Sequence, residues 1–174
     1  MKTNDTALNM IRKFEGLKCK PYKLPGETYY TVGYGHYGAD VDPNRLYTVT
    51  ECTELFYKDI KKFEKHILQC MSEYGYDFNN NEFSALVSFA FNIGNIRQLT
   101  NYGTRKKEDL PYYMMKYCKD SNGKILQGLY NRRYEEAELF KTPVDDTVTG
   151  EMLPFYNEER LKESQIYQRF TKIV

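Results

Sequence analysis

Residues 11–36 read IRKFEGLKCKPYKLPGETYYTVGYGH and bring together an unusual number of reactive side chains. One carboxylate, Glu15, lies at the end of an apolar-periodic segment, and a second, Glu27, follows it. Thr31 and the glycine-punctuated string GYGH at residues 33–36 come next. Two carboxylates beside a hydroxyl and permissive glycines are typical of an acid–base catalytic cleft, so this stretch is the candidate active site.

Glu15 is predicted to lie in the last turn of a helix. Asn4 or Thr6 can cap the start of this helix, and apolar side chains then recur at helical spacing. Gly16 follows Glu15 directly, at the position where helices commonly end in a left-handed turn. The helix C-terminus carries partial negative charge, which favours the protonated form of an acid and so suits a proton donor.

A β-hairpin is predicted directly after this helix. Residues 24–27, LPGE, form a turn signal, because proline presets the first turn dihedral and glycine tolerates the second. Residues 29–34 are aromatic and β-branched, as in a strand. Gly33 and Gly35 leave the backbone open to a ligand. We expect the acid at the helix end to face a two-stranded arm that carries the second acid, Glu27.

These motifs occur in an order that resembles the phage-type lysozymes, glycoside hydrolase family 24. The order is Glu-Gly-Leu, a Tyr seven residues after the Glu, a turn, and then Tyr-Thr-Val-Gly-Tyr-Gly-His. The string YYTVGYGHYGADV at residues 29–41 looks most similar to endolysins of small phages of Gram-positive hosts. Two downstream strings agree with it: NEFSALVSFAFNIG at 81–94 and QGLYNRRYEEAELF at 127–140.

The resemblance implies an α+β, mostly helical, lysozyme-like fold with two lobes. The small lobe is a β-hairpin, and the larger lobe is helical. The implied activity is that of an endolysin muramidase, which hydrolyses the β-1,4 bond between N-acetylmuramic acid and N-acetylglucosamine in bacterial peptidoglycan during host cell lysis. In the family, water attacks opposite the leaving group and inverts the anomeric centre, as two-carboxylate chemistry allows.

The resemblance also assigns roles to residues. It implies that Glu15 is the general acid and that the hydroxyl of Thr31 helps to hold the attacking water. In the family an arginine of the large lobe pairs with the catalytic glutamate, so either Arg132 or Arg133 is expected to pair with Glu15. The residues expected to line or support the cleft are Tyr34, His36, Phe91 and Asn92. In an alternative interpretation, Phe91 packs in the hydrophobic core instead.

The sequence departs from the family pattern at the second carboxylate. The family usually places an aspartate or a cysteine nine residues after the glutamate, and Leu24 stands there instead. Glu27 lies four residues before Thr31 and is the nearest replacement. If Glu27 is the base, its carboxyl should lie about 6.5–9.5 Å from that of Glu15, whereas about 5 Å would favour a covalent route. In the alternative, Glu27 is a solvated turn residue and Thr31 with His36 holds the water.

Downstream patterns predict the remaining helices. Thr48 and Glu51 form a capping-box pattern at the start of a long helix. The resemblance to phage-type lysozymes implies that this helix joins the two lobes. A helix that is apolar nearly all round and is capped by Asn80 or Asn81 is expected in the core. The predicted helices cover residues 48–72, 82–92, 110–117 and 127–141.

We expect one lysozyme-like catalytic domain at residues 1–141 and a C-terminal extension at residues 142–174. The segment TPVDDTVTG at residues 142–150 is linker-like, and the resemblance ends there. Roughly 30 residues are too few for an independent domain without disulfides or a metal. The extension is therefore expected to pack on the catalytic domain, with a wall-binding role as the alternative.

The composition is that of an ordinary globular protein. The chain has 174 residues, of which 41% are hydrophobic and 28% are charged. Its formal net charge of +1 argues against a nucleic-acid-binding protein, because such proteins show a marked basic excess. Glycoside hydrolysis requires no metal or organic cofactor. We expect a monomer that acts on peptidoglycan and does not insert into membranes.

The start of the chain bears on where the protein acts. Residues 1–6 are polar, so no secretory signal is predicted and the thiols are expected to stay reduced in the host cytoplasm. A holin would then be needed for access to the wall. Two other interpretations remain open: a catalytically weak peptidoglycan-binding module, suggested by the missing aspartate, and a structural lysozyme-like phage component.

Overall fold

The computed structural model describes residues 1–144. Within this range the chain forms five α-helices and three β-strands, with a 3₁₀ turn at Lys107–Asp109 before the fourth helix. The elements are α1 (Asp5–Glu15), β1 (Lys18–Tyr22), β2 (Tyr30–Gly33), β3 (His36–Gly38), α2 (Val49–Tyr74), α3 (Asn80–Ile93), α4 (Leu110–Met114) and α5 (Gln127–Lys141). The expected α+β, mostly helical architecture with a small β lobe and a larger helical lobe is confirmed.

The small lobe is an antiparallel sheet in the order β1-β2-β3. The two-stranded arm expected from the sequence was incomplete, because His36–Gly38 folds back as a third strand and pairs Val32 with His36. The second strand is also shorter than predicted and ends at Gly33, whose φ of 68° interrupts the extended backbone. A small core lies between this sheet and α2 and consists of Val32, Val41, Tyr47 and Cys52.

Helix α2 connects the two lobes. Thr48 caps its start, and the predicted capping box with Glu51 is present in both directions. At 1.5 Å per residue, its 26 residues span about 39 Å. Cys52 in its first turn belongs to the small core, whereas Phe56 and Ile67 further along belong to the core of the helical lobe. One continuous helix therefore contributes to both hydrophobic cores.

Helix α3 is the central element of the larger lobe, as its apolar sequence predicts. Asn79 caps it, rather than the expected Asn80 or Asn81, because the Asn79 side chain accepts the backbone N–H of Glu82. The Glu82 side chain accepts the N–H of Asn79 in return, at 2.7 Å. The residues of α3 that are buried form an uninterrupted run: Glu82, Phe83, Ser84, Ala85, Leu86, Val87, Ser88, Phe89 and Ala90.

The last two helices differ in how well the sequence predicted them. Helix α5 has the expected bounds, Gln127–Lys141. The helix predicted at residues 110–117 ends early, at Met114. The N–H groups of Lys116 and Tyr117 bond to carbonyls three residues back, so the chain tightens into turns instead of continuing the α-helix.

The described residues include only the beginning of the predicted C-terminal extension. The side-chain amide of Asn81 donates to the carbonyls of Thr142 and Pro143, at 3.0 and 3.3 Å. The start of the extension is thus tied to the first turn of α3. The predicted packing of the extension falls on residues 145–174, outside the described part of the chain. Among the helices of residues 1–144, none is both long enough and apolar enough to cross a bilayer.

A buried ion pair attaches the sheet to α2. The Nδ1 atom of His36 lies 2.7 Å from Oδ2 of Asp59, and its Nε2 atom lies 3.1 Å from Oδ1 of Asp40. The hydrogen bond to Asp59 raises the pKa of His36, although burial opposes the shift. Burial favours a higher pKa for Asp59, but its bonds to His36 and Lys62 prevail and lower it. The imidazolium form of His36 is therefore the form that the fold stabilises.

These shifts predict how the pair contributes to stability across pH. Because the pKa of His36 is raised in the folded state, its protonation contributes fully to the free energy of unfolding below the unfolded-state pKa of about 6.5. That contribution is lost as the pH rises through the folded-state pKa. The lowered pKa of Asp59 makes its contribution complete above the unfolded-state value of about 3.8 and lost as pH falls. We expect His36→Asn to lower the free energy of unfolding by roughly 3 kcal/mol near pH 5.5. The loss should shrink at alkaline pH, once His36 has lost its proton, and urea denaturation at the two pH values measures it.

The matched control is Asp40→Asn, which removes the exposed partner of the same histidine. The Asp40 side chain is 49% exposed, against 11% for Asp59, so this variant should cost much less. A loss for His36→Asn that is the same at both pH values would contradict the ionic account of this pair.

Candidate active site

Glu15 lies between the two lobes as the last residue of α1. Its side chain is 21% exposed, and its Oε1 atom accepts a hydrogen bond from Nη1 of Arg132 at 2.6 Å. On the opposite side the sheet backbone comes close, since a Cβ placed on Gly35 would lie 3.5 Å from Oε2 of Glu15. Gly35 has a φ of 91°, which an L side chain rarely adopts, so a glycine is doubly favoured there. Arg132 and the sheet thus hold the carboxylate from two sides.

The structure assigns the two adjacent arginines to different carboxylates. Arg132 contacts Glu15, while the Nε atom of Arg133 lies 2.8 Å from Oε2 of Glu136. Arg133 also donates from Nη2 to Oδ1 of Asn92 at 3.1 Å. Of the two candidates that the sequence left open, Arg132 is therefore the one that pairs with Glu15.

A fully buried carboxylate, Glu136, lies behind this pair. Its Oε1 atom accepts the hydroxyl of Ser88 at 2.8 Å and Nε of Arg132 at 3.2 Å. Burial raises the pKa of Glu136, and the guanidinium groups of Arg132 and Arg133 oppose that shift. The cluster thus sets two carboxyl groups, on Glu15 and Glu136, against two guanidinium groups.

Thr31 and Tyr22 lie side by side on the sheet. They are paired across β1 and β2, and directly opposed side chains share one face of a sheet. Thr31 is 7% exposed. Burial raises the pKa of Tyr22, and the charges of Glu15 and Glu27 raise it further. Tyr22 thus lies within electrostatic range of both carboxylates, and the Nζ atom of Lys18 lies 4.3 Å from the centre of its ring.

Glu27 lies in the predicted turn and folds back onto it. Its Oε2 atom accepts the backbone N–H of Leu24 at 2.8 Å, and its own N–H donates to the carbonyl of Leu24 at 3.2 Å. Leu24 itself is 57% exposed and supplies no ionisable group. The turn therefore orients the Glu27 carboxylate through one oxygen. Its role as base stays a prediction.

His36 is a supporting residue by position. It is 3% exposed, and an aspartate lies within hydrogen-bonding distance of each of its ring nitrogens. These hydrogen bonds join β3 to α2 and occupy both ring nitrogens. No ring nitrogen is then left with which His36 could help Thr31 to hold a water molecule.

The remaining candidate residues lie where the two lobes meet. The Tyr34 ring packs on Phe56 with centroids 5.3 Å apart, and Phe91 lies 5.9 Å from Phe56 and 5.3 Å from Phe63. Tyr34 and Phe91 are both half-buried, so Phe91 contributes to the core while keeping part of its surface exposed. Asn92 is exposed and accepts the hydrogen bond from Arg133.

Sequence reasoning missed three groups that organise the site: Ser88, Glu136 and Asp59. The spacing of Glu136, three and four residues after the arginines, places all three on one helical face and was a visible signal. Tyr22 was used only as part of the family motif and was not predicted to belong to the site. Its pairing with Thr31 follows from the hairpin. Nothing in the sequence singled out Asp59 from the other charged residues of α2.

Comparison with known proteins now identifies the family. The phage lysozyme family model matches residues 12–136, which include Glu15, the sheet and both arginines. The chain belongs to the phage lysozyme family. This confirms the resemblance inferred from the Glu-Gly-Leu and Tyr-Thr-Val-Gly-Tyr-Gly-His motifs.

Similar proteins include two phage endolysins and one solved structure. The endolysin of Bacillus phage PZA is 34% identical over 154 residues, which cover 86% of this chain and 58% of that protein. The endolysin of Lactococcus phage c2 is 33% identical over 162 residues, covering 90% of this chain and 70% of that protein. The muramidase domain of SpmX from Asticaccaulis excentricus is 26% identical with a TM-score of 0.69, covering 82% and 99% of the two chains. This phage lysozyme chain spans 58% of the length of the Bacillus phage relative.

The buried charge cluster predicts a large stability effect at Glu136. We expect Glu136→Gln to lower the free energy of unfolding by roughly 3–5 kcal/mol, because it leaves two buried guanidinium groups with too little negative charge. Ser88→Ala should cost about 1 kcal/mol, since it removes one neutral donor. Urea denaturation at neutral pH measures both losses.

Glu138→Gln on the same helix is the control. Glu138 pairs with Lys141 at the surface, where both side chains are 40% exposed, so its removal should change stability by less than about 0.5 kcal/mol. Equal losses for Glu136→Gln and Glu138→Gln would show that the cluster does not carry the stability assigned to it.

Proposed function

We propose that this phage lysozyme is an endolysin muramidase that hydrolyses the β-1,4 bond between N-acetylmuramic acid and N-acetylglucosamine in bacterial peptidoglycan. The observation that carries the proposal is the setting of Glu15, whose carboxyl group lies between Arg132 and the backbone of the sheet at Gly35. Glycoside hydrolysis uses a pair of carboxyl groups, and we assign the second role to Glu27 in the turn of the hairpin. The relatives named as endolysins and the similar muramidase domain support this proposal.

In this mechanism Glu15 donates the proton to the leaving oxygen. Its Oε1 atom is bound by Arg132, so the transferable proton belongs on Oε2, which faces Gly35 and the cleft. Proton transfer leaves a negative carboxylate, and the adjacent guanidinium stabilises that charge as it forms. Arg132 therefore positions the acid through its Oε1 atom.

Residues of the hairpin activate the attacking water in this mechanism. Glu27 accepts a proton from water while Thr31 holds that water, and attack opposite the leaving group inverts the anomeric centre. The Glu27 carboxylate has one oxygen bound to the N–H of Leu24, which leaves the other oxygen for the water. Tyr34, Phe91 and Asn92 contribute the walls of the cleft, and His36 supports the hairpin from behind.

The cellular setting completes the proposal. The protein is made in the host cytoplasm, reaches the wall through a membrane lesion made by a holin, and acts there as a monomer without a metal or organic cofactor. Residues 142–174 form an extension of the catalytic domain. A second candidate function, peptidoglycan binding with weak catalysis, is favoured by Leu24 at the position where the family usually has aspartate.

The decisive experiment compares Glu15→Gln and Glu27→Gln with the wild type on purified peptidoglycan. We expect wild-type protein to release fragments that carry muramic acid at the reducing end, detected by mass spectrometry after borohydride reduction. Glu15→Gln and Glu27→Gln should each lower the rate on the order of 10²–10⁴-fold, because each removes one acid–base partner. Glu54→Gln, an exposed glutamate of α2, should retain full activity.

Three other outcomes would change the assignment. Full activity of a folded Glu27→Gln variant would leave Thr31 alone to hold the water. Products with N-acetylglucosamine at the reducing end would make the enzyme a glucosaminidase. Binding without cleavage by the wild type would favour the second candidate function.

Arg132 offers a separate test of the positioning of Glu15. Arg132→Lys keeps the charge but cannot reach Glu15, Glu136 and the carbonyl of Ser88 together, as the guanidinium does. We expect kcat to fall on the order of 100-fold with little change in KM, because the acid is misplaced and the substrate contacts remain.

Arg12→Lys is the matched control for this substitution. Arg12 lies on the same helix as Glu15 but donates to Tyr57 and lies over the Phe56 ring, so kcat should stay within about twofold. A fall in kcat that simply follows lost thermal stability in both variants would contradict the positioning role of Arg132.

A further inference from the structure

Two cysteines face each other where the sheet meets the long helix. Cys19 lies on β1 and is half-buried, while Cys52 lies in the first turn of α2 and is fully buried. Their sulfur atoms are 4.0 Å apart, with the Cys52 thiol donating to Cys19. Both are free thiols, and 32 residues of intervening chain carry the hairpin and its site residues.

The packing around Cys52 holds the two thiols in this arrangement. A Cβ placed on Gly33 would lie 3.1 Å from Cβ of Cys52, so the backbone of β2 rests directly on the helix at this point. Gly33 pairs with Lys18, the neighbour of Cys19, across β1 and β2. A disulfide needs sulfur atoms about 2.05 Å apart, and rotation of two χ1 angles can supply the remaining approach of about 2 Å.

The other two cysteines lack such a partner at their positions. The sulfur of Cys70 lies 3.7 Å from Nε2 of His66, and the thiol of Cys118 donates to the carbonyl of Met115 at 3.0 Å. Both are buried. Oxidation of the folded protein is therefore directed to one pair by geometry.

We propose that Cys19 and Cys52 form a thiol–disulfide modification site, which a low-molecular-weight disulfide oxidises to a cross-link between β1 and α2. The Cys19 thiolate attacks one sulfur of the external disulfide, which breaks the external S–S bond and releases one thiolate. The Cys52 thiolate then attacks the Cys19 sulfur and releases the second thiolate. The protein loses two electrons and two protons, and the external disulfide becomes two thiols.

Exposure and acidity set the order of these two steps. Cys19 is the more accessible thiol and therefore meets the oxidant first. Burial, with a smaller contribution from the hydrogen bond to Cys19, raises the pKa of Cys52 to about 11. The second attack is therefore the slow step, and it should accelerate as the pH rises.

The cross-link would act on the small lobe in particular. Its core contains Val32, Val41, Tyr47 and Cys52, and the closed loop would include Glu27 and Thr31. Closing this loop restricts the unfolded chain and so favours the folded lobe. A protein made with reduced thiols would gain this restraint on reaching an oxidising environment outside the cell.

The test treats the full-length folded protein with oxidised glutathione at about pH 8, where thiol–disulfide exchange is rapid. Alkylation and peptide mapping should then show a Cys19–Cys52 peptide pair with two hydrogens fewer than the reduced peptides. The melting temperature should rise by about 5–10 °C and return to its original value with dithiothreitol.

Two kinds of variant serve as controls. Cys19→Ser and Cys52→Ser should show no oxidant-dependent rise, whereas Cys70→Ser should keep it. Each variant is compared with its own reduced form, so a general loss of stability does not affect the result, and the reversal in the wild type needs no variant.

Three results would overturn the proposal. The first is a stable glutathione adduct on Cys19 with Cys52 still reduced. The second is a cross-link that involves Cys70 or Cys118. The third is a Cys19–Cys52 bond that leaves the melting temperature unchanged. None of these outcomes depends on glycosidase activity, so they are independent of the proposed function.

Discussion

The helical lobe is organised around one carboxylate that water cannot reach, Glu136. A buried anion must be neutralised, and here Arg132 and Arg133 do so from the preceding turn of the same helix. Arg132 then extends to Glu15 on α1, and Ser88 binds the same carboxylate from α3. Three helices that are distant in sequence are therefore fixed relative to one another by one cluster of carboxyl and guanidinium groups, of which Glu15 is the outermost member.

The small lobe is held by a different kind of contact. It has a minor core of its own and attaches to α2 through the ionised pair of His36 and Asp59. Glu15 therefore belongs to the helical lobe, while Thr31 and Glu27 belong to the small lobe, which attaches to α2 through this ionised pair. The spacing of the two halves of the site is set by how the sheet rests on α2 and by the close approach of Gly35 to Glu15.

The sequence predicted what is decided locally. Glu15 at a helix end followed from Gly16, and the bounds of α5 followed from its pattern. The choice between Arg132 and Arg133 could not be made, because adjacent side chains point about 100° apart and tertiary packing sets the rotation of the helix. Asp59 was missed because its partner lies 23 residues away. The third strand was missed because three residues give almost no periodicity to detect.

The modest core of the hairpin lobe has a consequence for how the molecule opens. A region with few buried apolar contacts unfolds in partial steps that cost less free energy than global unfolding. Amide hydrogens of β1, β2 and β3 should therefore exchange with solvent through openings that leave α3 and α5 intact. The free energy of this partial opening is then a second stability, smaller than that of global unfolding, and a substitution in the sheet changes it most directly.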